Sequence, residues 1–500
     1  MKRFLIFLHR WLGVGLCLLF LIWFPSGIAM MYWGFPDVTE ADRLARSPDI
    51  DPAAIRLSPA EALAALGPGG FAGSVRLDTF DGRPAYRFPG RIVYADNGEE
   101  QTEVSTLMVR RLAAAWTGQP VQDAIVERIE EVDQWTVQQD LRALRPLWKF
   151  SWPNGEQVYV SQALGEVVQY TTRASRLGAY LGPIPHWFYF TPLRKHGAEW
   201  SRVVIWSSGA GTVAAMLGLA VGAWMYSPSK RYRYDGAPTR IPYHGQKRWH
   251  MVLGLVFGLA AVTWAFSGML SMDPFPRAVG SGGRDAAPDV PGILEGRTDI
   301  DDFAPAHPRN ALTRLAGLRV KQLELASLAG EPFYLATLAD GSTRIVPLDG
   351  PPRRAFEHER ISSALTAAAP SITTRVIDEY DRYYLDRRRE RPLPVIVADV
   401  HDRDGSRYYV DPQTGRVVGR YSDRDWMQRW LYNGLHSFNF PWLYNYRPLW
   451  DVVVIAFMAG GTALSVTSLV LAWRAIGKRL RGAMPGAASS RRDDGLALAD

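Results

Sequence analysis

Four stretches of this 500-residue chain contain no Asp, Glu, Lys or Arg over the length that a helix needs to cross a membrane. A bilayer core is about 30 Å thick, and about 20 apolar residues span it as a helix. The stretches cover residues 11–36, 203–229, 251–272 and 452–473. The first is longer than the apolar part of a secretory signal, and no small-residue cleavage site follows before Asp37. The sequence therefore predicts four membrane spans, the first of them retained.

The charges that flank these spans predict the orientation of the chain. The first ten residues, the loop between spans two and three, and the C-terminal tail together hold 15 Lys and Arg against four Asp. Cytoplasmic segments of membrane proteins carry such an excess of basic residues, so both termini are expected inside. The formal net charge of +7 then reflects topology. It is poor evidence for nucleic-acid binding, which needs a basic patch on an aqueous domain.

The spans divide the chain into segments with separate roles. We predict transmembrane helices at 9–36, 201–228, 249–272 and 450–474, a cytoplasmic loop at 229–248 and a disordered cytoplasmic tail at 475–500. The long segments 37–200 and 273–449 are expected outside as α+β domains, with a Gly/Pro-rich linker at 280–292 opening the second.

Local patterns in the two outer segments predict helices and hairpins. Ser58-Pro59-Ala60-Glu61 is a capping box with proline at the first helical position, and a second helix fits residues 104–116. Turn sequences at Asp81-Gly82, Asn154-Gly155 and Asp404-Gly405 indicate β-hairpins. The single cysteine, Cys17, excludes intramolecular disulfides, Cys-ligated zinc or iron–sulfur sites and covalent haem attachment through CxxCH.

An internal repeat carries the most information in the sequence. Shifting the chain by 250 residues aligns identical residues without a gap, namely Tyr159-Val160, Gly165, Val167-Val168, His186, Phe188, Phe190, Trp200, Val203-Val204-Ile205 and Gly211-Thr212 with the residues 250 positions later. A shift of 241 does the same for His9, Leu12, Gly13, Trp23, Ser26 and Gly27. The chain is therefore predicted to contain two copies of one unit, each made of a span, an outer domain and a span.

The repeat predicts which histidines meet. A parallel duplication of a two-span unit gives a four-helix bundle with a pseudo-twofold axis along the membrane normal, so equivalent residues face each other. His9 and His250 open spans one and three and are expected at the inner face. His186 and His436 precede spans two and four and are expected at the outer face.

Paired histidines in the apolar core of a helix bundle are typical of noncovalent b-type haem, which two neutral imidazoles hold as axial ligands. We therefore predict two b-type haems, one bound through iron by His9 and His250 and the other by His186 and His436. Two haems near opposite surfaces would divide the hydrocarbon, about 30 Å thick, into steps for an electron. Neighbouring side chains would supply aromatic walls, close approach and propionate partners: Trp11, Trp249, Trp187, Phe188, Phe190, Phe438, Phe440, Gly13, Gly254, Arg10, Arg248 and Arg194.

Other interpretations of these histidines stay open. An interfacial histidine also serves as a simple amphipathic anchor, and aromatic belts mark most membrane interfaces. Zinc or copper is disfavoured because no third or fourth ligand recurs near either pair. Among the remaining histidines, His244 is expected in a solvated loop, with a role as reserve inner ligand as the alternative. His196 lies opposite Tyr446 in the repeat, which disfavours a symmetric ligand role. The others, His307, His358 and His401, are expected at the surface.

Three stretches resemble the PepSY-associated transmembrane family of bacterial inner-membrane proteins. They are His9-Arg10-Trp11-Leu12-Gly13 followed by Pro25-Ser26-Gly27, then Asp133-Gln134-Trp135-Thr136 followed by Arg145-Pro146-Leu147, and the run from Tyr409 to Val418. The similarity covers nearly the whole chain apart from the linker and the tail. The family includes iron-regulated proteins and ferric-siderophore reductases with haem in a four-helix core. The resemblance implies an α-helical membrane protein, two α+β PepSY-like periplasmic domains and an oxidoreductase role.

The expected function is transmembrane electron transfer to a periplasmic acceptor, with a ferric siderophore or another Fe(III) chelate as the expected acceptor. No catalytic side chain is required, since the cofactor carries the redox chemistry. The inner loop is too short for a flavin or nicotinamide domain, and no GxGxxG follows a strand. The donor must be a separate cytoplasmic reductase or a quinol, and the sequence does not choose between them.

Two other functions remain open from the sequence. One is a haem-free regulatory or binding membrane protein, since PepSY-like domains resemble modules linked to peptidase inhibition. The other is a permease for iron chelates. The spans contain no internal charge and few prolines, with Pro25 inside the first, whereas transport paths usually show intramembrane polar groups or broken helices. This contrast disfavours the permease.

Overall fold

The computed structural model describes residues 1–67, 73–274 and 288–483. Of the predicted linker, only residues 288–292 lie within this range, and residues 484–500 of the predicted tail lie outside it. Contacts group the chain into two compact units. The helical unit comprises residues 1–31, 201–274 and the chain from Asp451, and the sheet unit comprises residues 32–200 and the second long segment up to Trp450.

The α-helices, in chain order, are α1 (Lys2–Met30), α2 (Glu40–Arg46), α3 (Pro59–Ala65), α4 (Thr106–Thr117), α5 (Arg173–Leu181), α6 (Pro183–Trp187), α7 (Thr191–Arg194), α8 (Gly197–Met225), α9 (Gly245–Leu270), α10 (Val290–Glu295), α11 (Pro308–Thr313), α12 (His358–Ala368), α13 (Leu435–Ser437), α14 (Pro441–Tyr444) and α15 (Leu449–Ala483). A π-helix over Met427–Gly434 precedes α13. Short 3₁₀ turns connect several of these elements.

The part of the chain that the structure describes contains four helices long and apolar enough to cross a membrane, α1, α8, α9 and α15. The four predicted spans are thereby confirmed as apolar helices. The predicted start of the disordered tail is wrong, because α15 continues as helix to Ala483. The residues that extend it are mostly good helix formers, such as Arg474, Lys478 and Arg479, so the helix ends well beyond the apolar stretch.

Glycines allow close packing inside the helical unit. A Cβ placed on Gly461 of α15 would lie 2.6 Å from Cε1 of Phe24 in α1, and one on Gly258 of α9 would lie 2.9 Å from Cδ2 of Leu219 in α8. The Phe24 ring also contacts Trp264, with ring centroids 5.9 Å apart. Small residues of this kind let the backbones of apolar helices approach closely, so that van der Waals packing stabilises their association.

The strands, in chain order, are β1 (Arg76–Phe80), β2 (Arg83–Phe88), β3 (Arg91–Tyr94), β4 (Ile125–Ile129), β5 (Leu147–Ser151), β6 (Gln157–Ser161), β7 (Glu166–Thr171), β8 (Tyr232–Tyr234), β9 (Ala237–Thr239), β10 (Val320–Leu328), β11 (Glu331–Leu338), β12 (Thr343–Pro347), β13 (Ile372–Ile377), β14 (Val395–Val400), β15 (Arg407–Asp411) and β16 (Arg416–Tyr421). β8 and β9 form a small hairpin in the loop between α8 and α9.

The two long segments share one six-stranded antiparallel sheet in the order β12-β11-β10-β1-β2-β3. Its halves meet where β1 pairs with β10, with Arg76 opposite Glu324 and Leu77 opposite Leu323. Both leucines are fully buried in one hydrophobic core built from both segments. Because of this pairing, the two long segments fold as one sheet unit. The sequence did not predict the pairing.

Each long segment also contributes a four-stranded antiparallel sheet of its own. The orders are β4-β5-β6-β7 and β13-β14-β15-β16. Both sheets have a register shift at the same place, between Tyr159 and Val160 in one and between Tyr409 and Val410 in the other. The Tyr159 hydroxyl donates to Asp133 at 2.6 Å, and the Tyr409 hydroxyl donates to Asp381 at 2.9 Å.

The predicted local elements are confirmed. Ser58 and Glu61 form a capping box at the start of α3. The turn at Asp81-Gly82 joins β1 to β2, Asn154-Gly155 lies between β5 and β6, and Asp404-Gly405 lies between β14 and β15. Helix α4 occupies Thr106–Thr117, close to the predicted 104–116.

We expect Leu323→Ala to destabilise the strands that both long segments contribute to the six-stranded sheet. Removing a buried leucine side chain costs about 2–5 kcal/mol, and Leu323 packs in a core that both segments build. Hydrogen exchange should therefore speed up in β1–β3 as well as in β10–β12. The control is Leu318→Ala, at a side chain that is 43% exposed, and it should change neither. Faster exchange confined to β10–β12 would contradict a shared core.

Candidate functional site

Two pairs of histidines, each drawn from distant parts of the chain, lie in contact. The first pair is His9 of α1 and His250 of α9, with ring centroids 6.1 Å apart and ring planes inclined by 34°. The second pair is His186 of α6 and His436 of α13, with centroids also 6.1 Å apart and planes inclined by 72°. The structure thus brings together the residues that the repeat pairs.

Hydrogen bonds orient both imidazoles of the first pair. Nδ1 of His9 lies 3.0 Å from the carbonyl oxygen of Ala214 and donates to it. Nδ1 of His250 lies 3.3 Å from the hydroxyl oxygens of both Thr467 and Ser468. Each hydroxyl donates its own hydrogen to the carbonyl of Leu464, so each can accept from Nδ1–H. This arrangement fixes Nδ1 as the protonated nitrogen and leaves Nε2 as the potential metal ligand.

Gly218 of α8 leaves space for the His9 ring. A Cβ on Gly218 of α8 would lie 2.7 Å from Cε1 of His9, closer than any normal contact. Gly218 aligns with Ser468 at the 250-residue shift, and Ala214 aligns with Leu464. The two histidines therefore meet corresponding turns of α8 and α15. The turn of α8 presents Gly218 and the Ala214 carbonyl to His9. The turn of α15 presents the hydroxyls of Thr467 and Ser468 to His250.

The second pair sits on two short segments with the same backbone. Phe188 and Phe438, each two residues after its histidine, adopt left-handed conformations with φ of 54° and 48°. The indole N–H of Trp200 donates to the carbonyl of Trp187 at 2.7 Å. The indole N–H of Trp450 donates to the carbonyl of Ser437 at 3.0 Å. A non-glycine residue with positive φ is strained, and the tryptophan bonds hold both segments in that shape.

The surroundings of the two histidines in the second pair differ. The Tyr432 ring stacks on His436, with centroids 5.3 Å apart and planes inclined by 28°. Tyr432 belongs to the π-helix, a feature frequent at functional sites, and burial raises the pKa of its hydroxyl. The aligned position in the first half is Gly182, where α5 ends and α6 begins.

The predicted propionate partners have different environments. The Arg10 guanidinium lies 5.4 Å from the Trp11 ring centre, and Arg248 donates to the Thr239 hydroxyl at 3.1 Å. Arg194 is only 6% exposed, and its Nε and Nη1 have no hydrogen-bond partner in the described part of the chain.

The geometry of each pair suits one metal ion between two imidazoles. A histidine nitrogen binds a metal at about 2 Å, so two imidazoles on opposite sides of one ion have ring centres about 6 Å apart. Both pairs match this spacing. Within the described ranges, no group of three or more His, Cys, Asp or Glu is placed to hold a metal ion. The pairs therefore fit an ion whose remaining ligands come from a cofactor, as in haem.

The remaining histidines have local contacts that involve neither pair. The His244 ring stacks on Tyr234 at 4.9 Å, and His196 is exposed. The Arg309 backbone N–H donates to Nδ1 of His307, and Nε2 of His401 lies 3.2 Å from the Thr373 hydroxyl. The half-buried His358 begins α12.

The predicted aromatic neighbours have mixed exposure. Trp249 and Phe190 are 61% and 47% exposed. Trp187 is half-buried and contacts Tyr189, with ring centroids 5.2 Å apart. Within the described ranges, an added Cβ on Gly13 would have no atom within 4 Å, and one on Gly254 would lie 3.8 Å from Leu464.

Sequence reasoning missed several residues that contact the pairs. Gly218, Thr467 and Ser468 face the first pair, and Tyr432 faces the second. Each differs from its repeat partner, so a search for identical residues passes over them. The 250-residue comparison offers no signal for Gly218, because every position from 213 to 218 differs from its counterpart in α15.

The chain matches one protein family over more than half of its length. The family is described as the PepSY-associated TM region, and it matches residues 6–311. This match covers α1, α8, α9 and the first of the two long segments. No curated protein matches the chain significantly. The chain therefore belongs to the PepSY-associated TM family.

Proposed function

We propose that the chain is a transmembrane electron-transfer protein in which each histidine pair binds the iron of one b-type haem. The observation that carries this proposal is that both pairs have ring centroids 6.1 Å apart. Two imidazoles that bind one iron from opposite sides would have their ring centres about 6 Å apart, and both pairs match that spacing. The haem, when bound, supplies reversible one-electron chemistry, and the protein supplies ligation, spacing and burial.

The residues of the first pair support axial ligation. A ligating imidazole usually donates its other N–H to a carbonyl, carboxylate or hydroxyl, which fixes the ring and raises the basicity of the ligating nitrogen. His9 donates to Ala214 and His250 to Thr467 and Ser468. Both rings thus present Nε2 without a proton. Gly218 leaves the space in which His9 can hold this orientation.

We attribute the pairing to a tandem duplication of a two-span unit. The equal order of the two four-stranded sheets, their equal register shifts and the matching tryptophan bonds support it. The central pairing of β1 with β10 joins the two copies in an antiparallel fashion, as a pseudo-twofold axis requires. Under this symmetry equivalent histidines meet at the axis without any further constraint.

The proposed orientation places both termini and the β8–β9 hairpin in the cytoplasm of a bacterium and the sheet unit in the periplasm. The basic residues near the helix ends support it through the positive-inside rule. The first pair then lies near the inner face of the cytoplasmic membrane, and the second lies near its outer face. The loop between α8 and α9 holds a two-stranded hairpin, which is no nucleotide-binding domain. A separate reductase or a quinol would deliver the electrons.

A ferric siderophore or another Fe(III) chelate is the acceptor we propose. Siderophores bind Fe(III) through hard oxygen ligands, and such ligands hold Fe(II) less tightly. One electron delivered in the periplasm would therefore release the metal. This reaction would need no acid or base from the protein, since the cofactor would carry the redox chemistry.

We expect the purified protein to contain two haems, and each histidine variant to lose one. His9→Ala and His250→Ala should lose the same haem, while His186→Ala and His436→Ala should lose the other, because an iron with one axial imidazole is held more weakly. The pyridine haemochrome assay gives the stoichiometry, and His401→Ala serves as the control. A colourless, folded wild-type protein would favour a haem-free binding role. Unchanged stoichiometry in all four variants would refute the ligand assignment.

We expect Gly218→Ala to weaken the first haem site selectively. The new methyl group would overlap the His9 ring and turn it away from its partner. Haem content should fall toward one per chain, or one low-spin haem should become high-spin, while the second site stays intact. Gly15→Ala is the matched control in the same bundle, since nothing lies within 4 Å of its added Cβ. Equal spectra for both variants would contradict the role of Gly218.

A further inference from the structure

Two arginines of the sheet unit are buried with unpartnered nitrogens. Arg194 is 6% exposed and Arg429 is 7% exposed. Among the residues that the structure describes, Nε and Nη1 of Arg194 and Nη1 of Arg429 have no hydrogen-bond partner. Neither guanidinium forms an ion pair with a carboxylate in the described part of the chain.

Arg194 lies beside the segment that follows His186. Its guanidinium carbon is 4.2 Å from the ring centre of Trp200 and 4.9 Å from that of Tyr189. Trp200 is the residue whose indole N–H holds the carbonyl of Trp187, next to His186. Two aromatic rings therefore hold the guanidinium close to this segment.

Arg429 lies beside the segment that follows His436. Its Nη2 donates to the carbonyl of Asn439 at 3.0 Å, and its Nε donates to the carbonyl of Arg382 at 2.5 Å. The guanidinium carbon is 4.3 Å from the ring centre of Trp430. These two hydrogen bonds and the ring contact hold the side chain in place. Nη1 is left as a fixed and buried donor.

The two arginines do not correspond in the repeat. At the 250-residue shift, Arg194 aligns with Tyr444 and Arg429 aligns with Ala179. Each half therefore places one guanidinium next to its ligand segment from a different position. Duplication of a single arginine would have placed both at equivalent positions, so it does not explain this arrangement. A shared need for positive charge near His186 and His436 does explain it.

A buried guanidinium needs an anion. Arginine keeps its charge in proteins, and a buried charge or donor without a partner costs several times the free energy of an ordinary hydrogen bond. The planar guanidinium is the group best matched to carboxylates. The acceptors that these donors lack are therefore best supplied by a ligand carrying two carboxylates.

We infer that Arg194 and Arg429 each bind one propionate carboxylate of the haem held by His186 and His436. This inference rests on the proposed function and extends it to residues that contact the edge of the cofactor. Two carboxylates on one side of the haem would be met by two guanidiniums, one from each half. The haem would thereby be held in a single orientation about the axis between the imidazoles.

The test compares haem with its dimethyl ester, which lacks both carboxylates. The full-length protein carries His9→Ala, so that only the second site binds, and it is reconstituted with either porphyrin. Arg194→Gln and Arg429→Gln are introduced singly, and Arg420→Gln is the matched control, an exposed arginine beside Tyr408 in the same unit. The rate of transfer to excess apomyoglobin is measured for each variant, and circular dichroism reports folding.

We expect each glutamine variant to release haem at least about tenfold faster than its parent, the scale of a lost charge-assisted hydrogen bond. All variants should release the dimethyl ester at the same rate as the parent. Equal haem release in variants and parent, or equal acceleration for haem and ester, would overturn the inference while the haem assignment stands. A parent that binds neither porphyrin would instead overturn the proposed function at this site. If a glutamine variant does not fold, Arg→Lys at the same position should give a smaller acceleration with haem and none with the ester.

Discussion

The contact between two imidazoles from distant parts of the chain, made twice with ring centroids 6.1 Å apart, is the interaction on which the rest of this structure depends. The first pair requires Nδ1 of each ring to be satisfied within the bundle, and Ala214, Thr467 and Ser468 do this. The second pair requires two short segments to turn inward, and two left-handed phenylalanines with tryptophan hydrogen bonds achieve it. Helix packing and sheet pairing serve to bring these segments together.

The two halves share a backbone but differ in the side chains around the histidines. Gly218 faces His9 where Ser468 faces His250, and Gly182 takes the place of Tyr432 beside His436. The buried arginines also come from positions that do not correspond. Such differences make the ligand environments unequal within each pair, and the pairs unequal to each other. In the proposed electron-transfer role, unequal sites would hold an electron at unequal potentials, which would give the transfer a direction.

Much of this arrangement could be predicted from the sequence, because its signals are local or repeated. Uncharged runs indicate spans, turn dipeptides indicate hairpins, and identity at a fixed shift pairs His186 with His436. The pairing of β1 with β10 could not be predicted, because Leu77 and Leu323 meet through a register that no local pattern encodes. Arg429 was missed because its Nε donates to the carbonyl of Arg382, which lies 47 residues away in sequence. The helical end of α15 could not be predicted from the span, because the uncharged run that indicates the span ends at Trp473.

The most direct test of the central claim is electron paramagnetic resonance of the oxidised, purified protein. Bis-imidazole ferric haem is low-spin, and its spectrum depends on the angle between the imidazole planes. The first pair is inclined by 34° and the second by 72°. We therefore predict two low-spin signals of equal intensity, one rhombic and one strongly anisotropic with a single dominant low-field feature. A high-spin signal alone, or the absence of any haem signal, would contradict the account.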